Sequence, residues 1–184
     1  MCSSDLMKMD KGLDSGPVLK RVVTPILPED NSLTLGTRLC ALGCAALCEG
    51  LGDLPLLLSQ AREQDEALVS YARKVSKAEA LIDWKQSAAT VHNLVRAMYP
   101  RAPAYCLIKQ KRVRIIESRV RDEVSSASAG SIIRCNHDSI DVACGAGVLQ
   151  VLRIQLEGKN EMNIASLLNG HPDYFTAGMQ LDRS

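Results

Sequence analysis

Aromatic residues are scarce in this chain, with one Trp, four Tyr and one Phe among 184 residues. A surface that stacks successive unpaired bases on rings would want more, so a single-strand stacking platform is disfavoured. Paired CxxC spacing is also missing. The seven cysteines, at positions 2, 40, 44, 48, 106, 135 and 144, are odd in number, which argues against a secreted disulfide framework and for a reducing compartment. No apolar run approaches the roughly 20 residues that span a bilayer, and no basic-then-apolar leader opens the chain. These absences lead to the expectation of a soluble, cytoplasmic protein with no membrane partner.

What is present is a globular balance, 46% hydrophobic and 23% charged. The length suits one ordinary domain, or one small domain and part of another. The formal net charge of +1 hides an asymmetry: residues 1–65 carry 6 Lys/Arg against 9 Asp/Glu, and residues 66–184 carry 16 against 12. The second part is the side expected to meet a polyanion.

The run Gly12-Leu13-Asp14-Ser15-Gly16 sets a carboxylate between two glycines at the mouth of an extended segment. Such a loop can aim Asp14 at a reacting group, although a run of this composition is more often a plain turn. Met1 to Lys8 shows no interpretable pattern. Val18 to Ile26 is β-branched and predicted to be extended, limited to an edge or strand end by Pro25 and Pro28. A helix is expected over about Leu33 to Leu51, capped by Asn31 or Ser32, with Leu35, Leu39, Leu42 and Ala46 on one stripe. Cys40, Cys44 and Cys48 recur every four residues along it. The outer two would be about 12 Å apart along the axis, too far for one tetrahedral ion, so they are read as small core residues.

A short helical or irregular stretch follows from Leu54, then a polar connector at Gln64-Asp65-Glu66. Val69 to Val75 is predicted to be extended. Ser76-Lys77-Ala78-Glu79 has the form of a capping box. Trp84 is expected to anchor a core, and a helix from about Ser87 should place Ala88, Val91, Val95 and Met98 inward until Pro100. His92, beside that face, has no acidic or thiol neighbour at ligand spacing. From Ala104 the period becomes two, with short strands expected at Tyr105–Ile108, Val113–Glu117, Ile132–Cys135, Ile140–Cys144 and Val148–Leu156. Asn136-His137-Asp138 falls at a hairpin tip and reads as a turn. A closing helix is expected at about Asn163 to Asn169.

Between Arg96 and Arg121 lie eight basic residues against the single acid Glu117, a net of +7 in 26 residues. Arg112 and Arg114 alternate with Val113 and Ile115, so a strand would project both arginines from the face opposite the core. A solvated strand face is the plain reading. A phosphate-binding surface suited to the backbone of a folded RNA is the sharper one, and it makes Arg96, Arg101, Lys109, Lys111, Arg112 and Arg114 candidate contacts.

Several stretches, in order, resemble methionyl-tRNA formyltransferase. They are Met9-x-x-Gly12-Leu13-Asp14-Ser15-Gly16, then Tyr71-Ala72-x-Lys74-x-Ser76-Lys77-x-Glu79-Ala80-x-Ile82-Asp83-Trp84, then Arg96-Ala97-Met98-Tyr99-Pro100. Ala143-Cys144-Gly145-Ala146-Gly147-Val148-Leu149, Gln155, Gly158-Lys159, Met162 and Leu167-Leu168-Asn169-Gly170 continue the resemblance, which covers nearly all of residues 7–171. It implies formyl transfer from 10-formyltetrahydrofolate to the amine of initiator methionyl-tRNA, without a metal. It also implies an α+β chain: the C-terminal remnant of a Rossmann-like formyltransferase domain at 1–63, a linker at 64–75, and a small OB-like antiparallel β-barrel with short helices at 76–184. Asp14 matches the catalytic aspartate of the family, expected to orient and charge-stabilise a histidine while an oxyanion develops. Lys74 matches the lysine of the linker motif and is carried over as a tRNA contact.

The departures shape the expectation. The Asn-x-His motif, the Ser-Leu-Leu-Pro loop and most of the folate pocket of the family belong before Asp14. Asn136 and His137 are adjacent and in the other domain, so they are no substitute. Arg101 and Ala102 stand where the family has Trp and Pro. The chain is therefore expected to be the C-terminal portion of a formyltransferase, inactive alone, whose other half could come from a separate chain. Two other readings stay open: a non-catalytic RNA-binding module, and a related formyltransferase acting on a sugar nucleotide or small amine.

Overall fold

Strand β1 (Cys2–Met7) runs antiparallel to β2 (Val18–Thr24), with Cys2 opposite Thr24 and Leu6 opposite Lys20. The sequence pattern does not announce β1, whose polar Ser3, Ser4 and Asp5 carry no strand preference; pairing with the β-branched β2 decides it. The computed structural model describes residues 1–181, so the last three positions of the expected second domain lie outside the described residues. The chain divides into two compact units, Met1–Lys74 and one beginning at Val75.

In the first unit, helix α1 (Ser32–Leu51) packs against the hairpin and α2 (Leu54–Ser59) follows it. Asn31 is the cap: its side chain accepts from the Leu33 and Thr34 amides at 2.9 and 3.0 Å, while Thr34 Oγ1 accepts from the Asn31 amide at 3.0 Å. That reciprocal box satisfies helix-end donors that would otherwise be orphaned. Ala46 is buried, and Leu35, Leu39 and Leu42 are half-buried on the same stripe. Cys40, Cys44 and Cys48 are exposed, which corrects their assignment to the core. Only Arg38 and Glu49 are charged along α1, so polarity does not distinguish its two faces, and the hairpin covers only the side bearing Ala46 and Gly50. Cys40 and then Cys48 beside Cys44 hold that thiol above its usual value, which disfavours the thiolate.

The entry to α1 is pinned by a buried carboxylate. Asp30 accepts from the Leu27 amide at 2.7 Å and from both terminal nitrogens of Arg38, which also reaches the Pro25 carbonyl at 2.9 Å. The Arg38 guanidinium first, and the Leu27 amide second, lower the Asp30 pKa to about 2.

Residues 69–75, predicted to be extended, form no strand. In the second unit, Ser76 and Glu79 make the expected capping box at the 3₁₀ turn Lys77–Ala80. Helix α3 (Ala88–Met98), capped by Ser87, buries Ala88, Val91 and Val95. The sheet contains β3 (Tyr105–Ile108), β4 (Lys111–Arg121), β5 (Ile132–Cys135), β6 (Ile140–Ala143), β7 (Val148–Leu156) and β8 (Glu161–Asn163), and helix α4 (Ile164–Gly170) follows. Its order is β3-β4-β7-β6-β5, all antiparallel, with β8 on β7 beyond the end of β6. The result is a curled sheet around Ile115, Ile132, Ile140, Val142, Leu149, Val151 and Ile154, closed over by Trp84, Val91, Val95 and Phe175. Burying each such aliphatic side chain is worth about 1.5–3 kcal/mol.

β4 is longer than its β-branched pattern predicts because β7 pairs with it from Val113 to Arg121. Between Ile115 and Ser118 the register shifts, so that Ile115 and Ile116 are both buried. This bulge changes which parity faces the core: Val113 and Ile115 point inward before it, Ile116 and Ser118 after it. The segment before α3 is tied to the loop after β6. Gly145 donates to the Trp84 and Gln86 carbonyls at 2.9 Å, and Ala88 donates to the Ala146 carbonyl at 2.8 Å. A Cβ on Gly145 would stand 1.8 Å from the Lys85 carbonyl oxygen, so only glycine permits this approach.

Two outcomes follow. Gly145→Ala should destabilise the second unit by about 3 kcal/mol, measured by chemical denaturation, because backbone must move to admit the methyl. For Asp30, whose folded pKa of about 2 lies below its ordinary 3.8, the stabilising contribution is whole above about pH 4 and fades as pH falls toward 2. The gap in melting temperature between wild type and Asp30→Asn should therefore be widest near neutrality and close below pH 3.

Candidate functional site

Asp14 lies in the connection between β1 and β2, exposed, with φ of 54°. Aspartate tolerates this left-handed conformation better than most residues. The loop is held by Gln64, whose side-chain amide donates to the Asp14 and Gly16 carbonyls, both at 2.8 Å. Gly16 is buried where a Cβ would fall 1.7 Å from the Lys8 carbonyl oxygen, and Val18 and Arg62 exchange two backbone hydrogen bonds at 2.8 and 2.9 Å. The backbone is thus pinned while the carboxylate projects outward. Gln64, read from sequence as part of a polar connector, is the residue that fixes the loop; an amide 50 residues away gives no local signal.

Residues 1–74 contain no histidine, so within its unit Asp14 has no imidazole to orient. A groove of about 330 Å³ lies nearby in sequence, walled by Leu6, Met7, Met9, Leu19, Leu47 and Leu57, with Asp5 already committed to Arg21. Its lining lacks the polar groups a pterin ring would require, so the described residues of this unit do not by themselves fit a folate.

The basic candidates divide by position. Lys109, Lys111, Arg112 and Arg114 are brought together on the β3–β4 hairpin. Arg96 is on the last turn of α3, half-buried and bonded to Asn93 Oδ1 at 2.9 Å, and Arg101 is exposed in the following loop. Lys74 is exposed at the end of the first unit, outside regular structure. His92 Nδ1 meets Ser118 Oγ at 3.0 Å, and burial, with Arg96 second, holds the imidazole below its usual pKa, so it is a packed core-edge group. His137 is exposed at the β5–β6 tip, as its turn reading predicts.

The outer face of β3, β4 and β7 has a defined arrangement. Tyr105, Arg114 and Gln155 are neighbours across the three strands. Arg112, diagonal to Tyr105, stacks its guanidinium 4.4 Å from the ring centre. Arg114 donates to Gln155 Oε1 at 2.8 Å, and Gln155 Nε2 in turn donates to the Lys159 carbonyl at 2.9 Å. Charge remains on this face because its fixed partners are a ring and an amide. The arrangement can bind anions.

The family model described as "Formyl transferase, C-terminal domain" matches residues 74–172. The chain belongs to the formyl transferase family. Among solved structures, a multiply substituted HypX from Aquifex aeolicus superposes with a TM-score of 0.69 at 15% identity, over 94% of this chain and 31% of that one. The N-formyltransferase from Helicobacter canadensis, solved with folinic acid and dTDP-3-aminofucose, gives 0.61 at 16%, over 81% and 54%. The sugar 3N-formyl transferase WlaRD, solved in the presence of dTDP and 5-N-formyl-THF, gives 0.60 at 16%, over 86% and 56%. At these identities the likeness is one of fold, and this formyl transferase chain spans from just under a third to just over half of those neighbours' lengths.

The β3–β4 turn offers a measurable consequence. Lys109 and Gln110, between the paired Ile108 and Lys111, have φ of 48° and 64°, the two-residue geometry that prefers Asn-Gly. Replacing them by Lys109→Asn with Gln110→Gly should stabilise the hairpin by about 0.5–1 kcal/mol in thermal unfolding, at the cost of one tip charge.

Proposed function

We propose that this chain is the C-terminal part of a methionyl-tRNA formyltransferase, gripping the initiator tRNA whose methionyl amine receives a formyl group from 10-formyltetrahydrofolate. The observation that carries the reading is the basic hairpin face, where Arg112 and Arg114 keep their charge for an external anion. On this reading Met1–Lys74 is the last piece of the Rossmann-like catalytic domain and 64–75 is the linker. Asp14 is its catalytic carboxylate, presented by a pinned loop to a histidine and a folate pocket formed by residues other than those described. On this reading residues 1–184 do not turn over without that half, whether it belongs to the same polypeptide or to another. Lys74, Arg96, Arg101, Lys109 and Lys111 extend the tRNA contact.

A second reading is favoured by one observation: two fold neighbours are sugar N-formyltransferases, so the acceptor amine could sit on a nucleotide-linked sugar. The two are separated by what the chain binds. Methionyl initiator tRNA should bind with an affinity that falls steeply between 50 and 200 mM salt, since each phosphate contact releases counterions. The double reversal Arg112→Glu/Arg114→Glu should weaken it by about tenfold or more, read by fluorescence anisotropy on a sample whose circular dichroism is unchanged. Salt-insensitive binding of a dTDP-amino sugar, with no tRNA binding, would overturn the tRNA reading.

A further inference from the structure

Five arginines of the sheet, Arg112, Arg114, Arg121, Arg134 and Arg153, differ in the company they keep. Arg134 pairs with Glu123 and, through Nε, with Asp141 at 2.9 Å; Arg121 Nε lies 3.3 Å from the other Asp141 oxygen. Asp141 is fully buried, so these arginines neutralise a carboxylate the fold has already desolvated. Arg153 bridges Glu161 at 3.0 Å and Glu117 at 3.8 Å. Arg112 and Arg114 differ: among the described residues neither is ion-paired to a carboxylate, and each is held by a neutral group, the Tyr105 ring or the Gln155 amide.

From this sorting we infer that Tyr105 and Gln155 are positioning residues of a two-arginine clamp for successive phosphates of a polynucleotide strand. The inference deepens the tRNA reading and rests on it. A neutral partner removes conformational freedom from a long side chain without neutralising it, so the cost of ordering the guanidinium is met before the anion arrives. The Gln155 amide is itself locked by the Lys159 carbonyl, so its oxygen stays aimed at Arg114. Spacing favours a polynucleotide over a diphosphate. Positions 112 and 114 share one strand face and are about 7 Å apart, twice the rise per residue. This backbone separation is of the order of the step between neighbouring phosphates of one nucleic-acid strand and exceeds the separation within a pyrophosphate.

The test uses the full chain, with methionyl initiator tRNA and an unrelated RNA hairpin as probes, each measured at several salt concentrations. Tyr105→Leu and Gln155→Leu should each weaken binding about three- to tenfold and reduce the salt slope by up to about 1, whereas Tyr105→Phe, which keeps the ring, should bind as wild type. Gln155→Glu is the sharpest variant. It should keep or raise the melting temperature, by pairing Arg114, while weakening both RNAs, a split that a merely structural role would not produce. Arg153→Gln, at a carboxylate-paired arginine of the same sheet, should change binding less than twofold. The clamp is overturned if the Tyr105 and Gln155 variants bind like wild type, if Arg153→Gln is as damaging as they are, if dTDP displaces the RNA, or if wild type binds neither RNA. Equal, clamp-dependent binding of both RNAs without formylation in the presence of a complete formyltransferase catalytic domain and 10-formyltetrahydrofolate would instead overturn the methionyl-tRNA reading and leave the clamp standing.

Discussion

The pairing of β4 with β7 is the constraint on which the second unit depends. Val113 to Arg121 is laddered against Val148 to Leu156, and this long register lets both strands bury one edge of their pleat. Val113 and Ile115 go inward because water is worse for them than the core. Arg112 and Arg114 are then outward by alternation alone, with no freedom to share the inner face. The basic face is thus the reverse side of a hydrophobic decision. The bulge near Glu117 marks where that decision is reset: beyond it the outward parity carries Glu117 and Arg119.

The same sheet uses arginine in opposite ways. At β5 and β6, Arg134 and Arg121 flank a fully buried Asp141, and charge is consumed to hold strands together. On the β3–β4 hairpin, arginine is steadied by a ring and by an amide, and charge is retained. Net charge, +7 over Arg96 to Arg121, does not separate these roles, because it counts Arg121 and Arg112 alike. Membership of the formyl transferase family rests on residues 74–172, the span that contains both kinds of arginine.

The first unit shows a different economy. A pinned loop presents Asp14, and the amide of Gln64 together with the tight approach at Gly16 holds the backbone rather than the carboxylate. Catalytic geometry requires more than this: a histidine and polar groups for a pterin are not among what this unit brings to Asp14. Helix α1 is apolar nearly all round, and the hairpin covers one of its sides.

How much of this was legible beforehand depends on the range of the forces involved. Local chemistry determined the Asn31 cap, the Ser76–Glu79 box, the start of α3 at Ser87 and the alternation in β3, β4 and β7, since each rests on contacts within a few residues. The ordered motifs also carried the formyl transferase family, and position marked Asp14, Arg112 and Arg114 as candidates. Tertiary structure alone decided that Cys2–Met7 is a strand, that the α1 cysteines face outward, and that Glu161–Asn163 joins β7. A polar strand, or one side of a uniformly apolar helix, has no preference until a partner supplies it. It also decided which arginines are paired with a carboxylate and which are held by a neutral group, because Asp141 and Tyr105 meet their arginines only across the sheet.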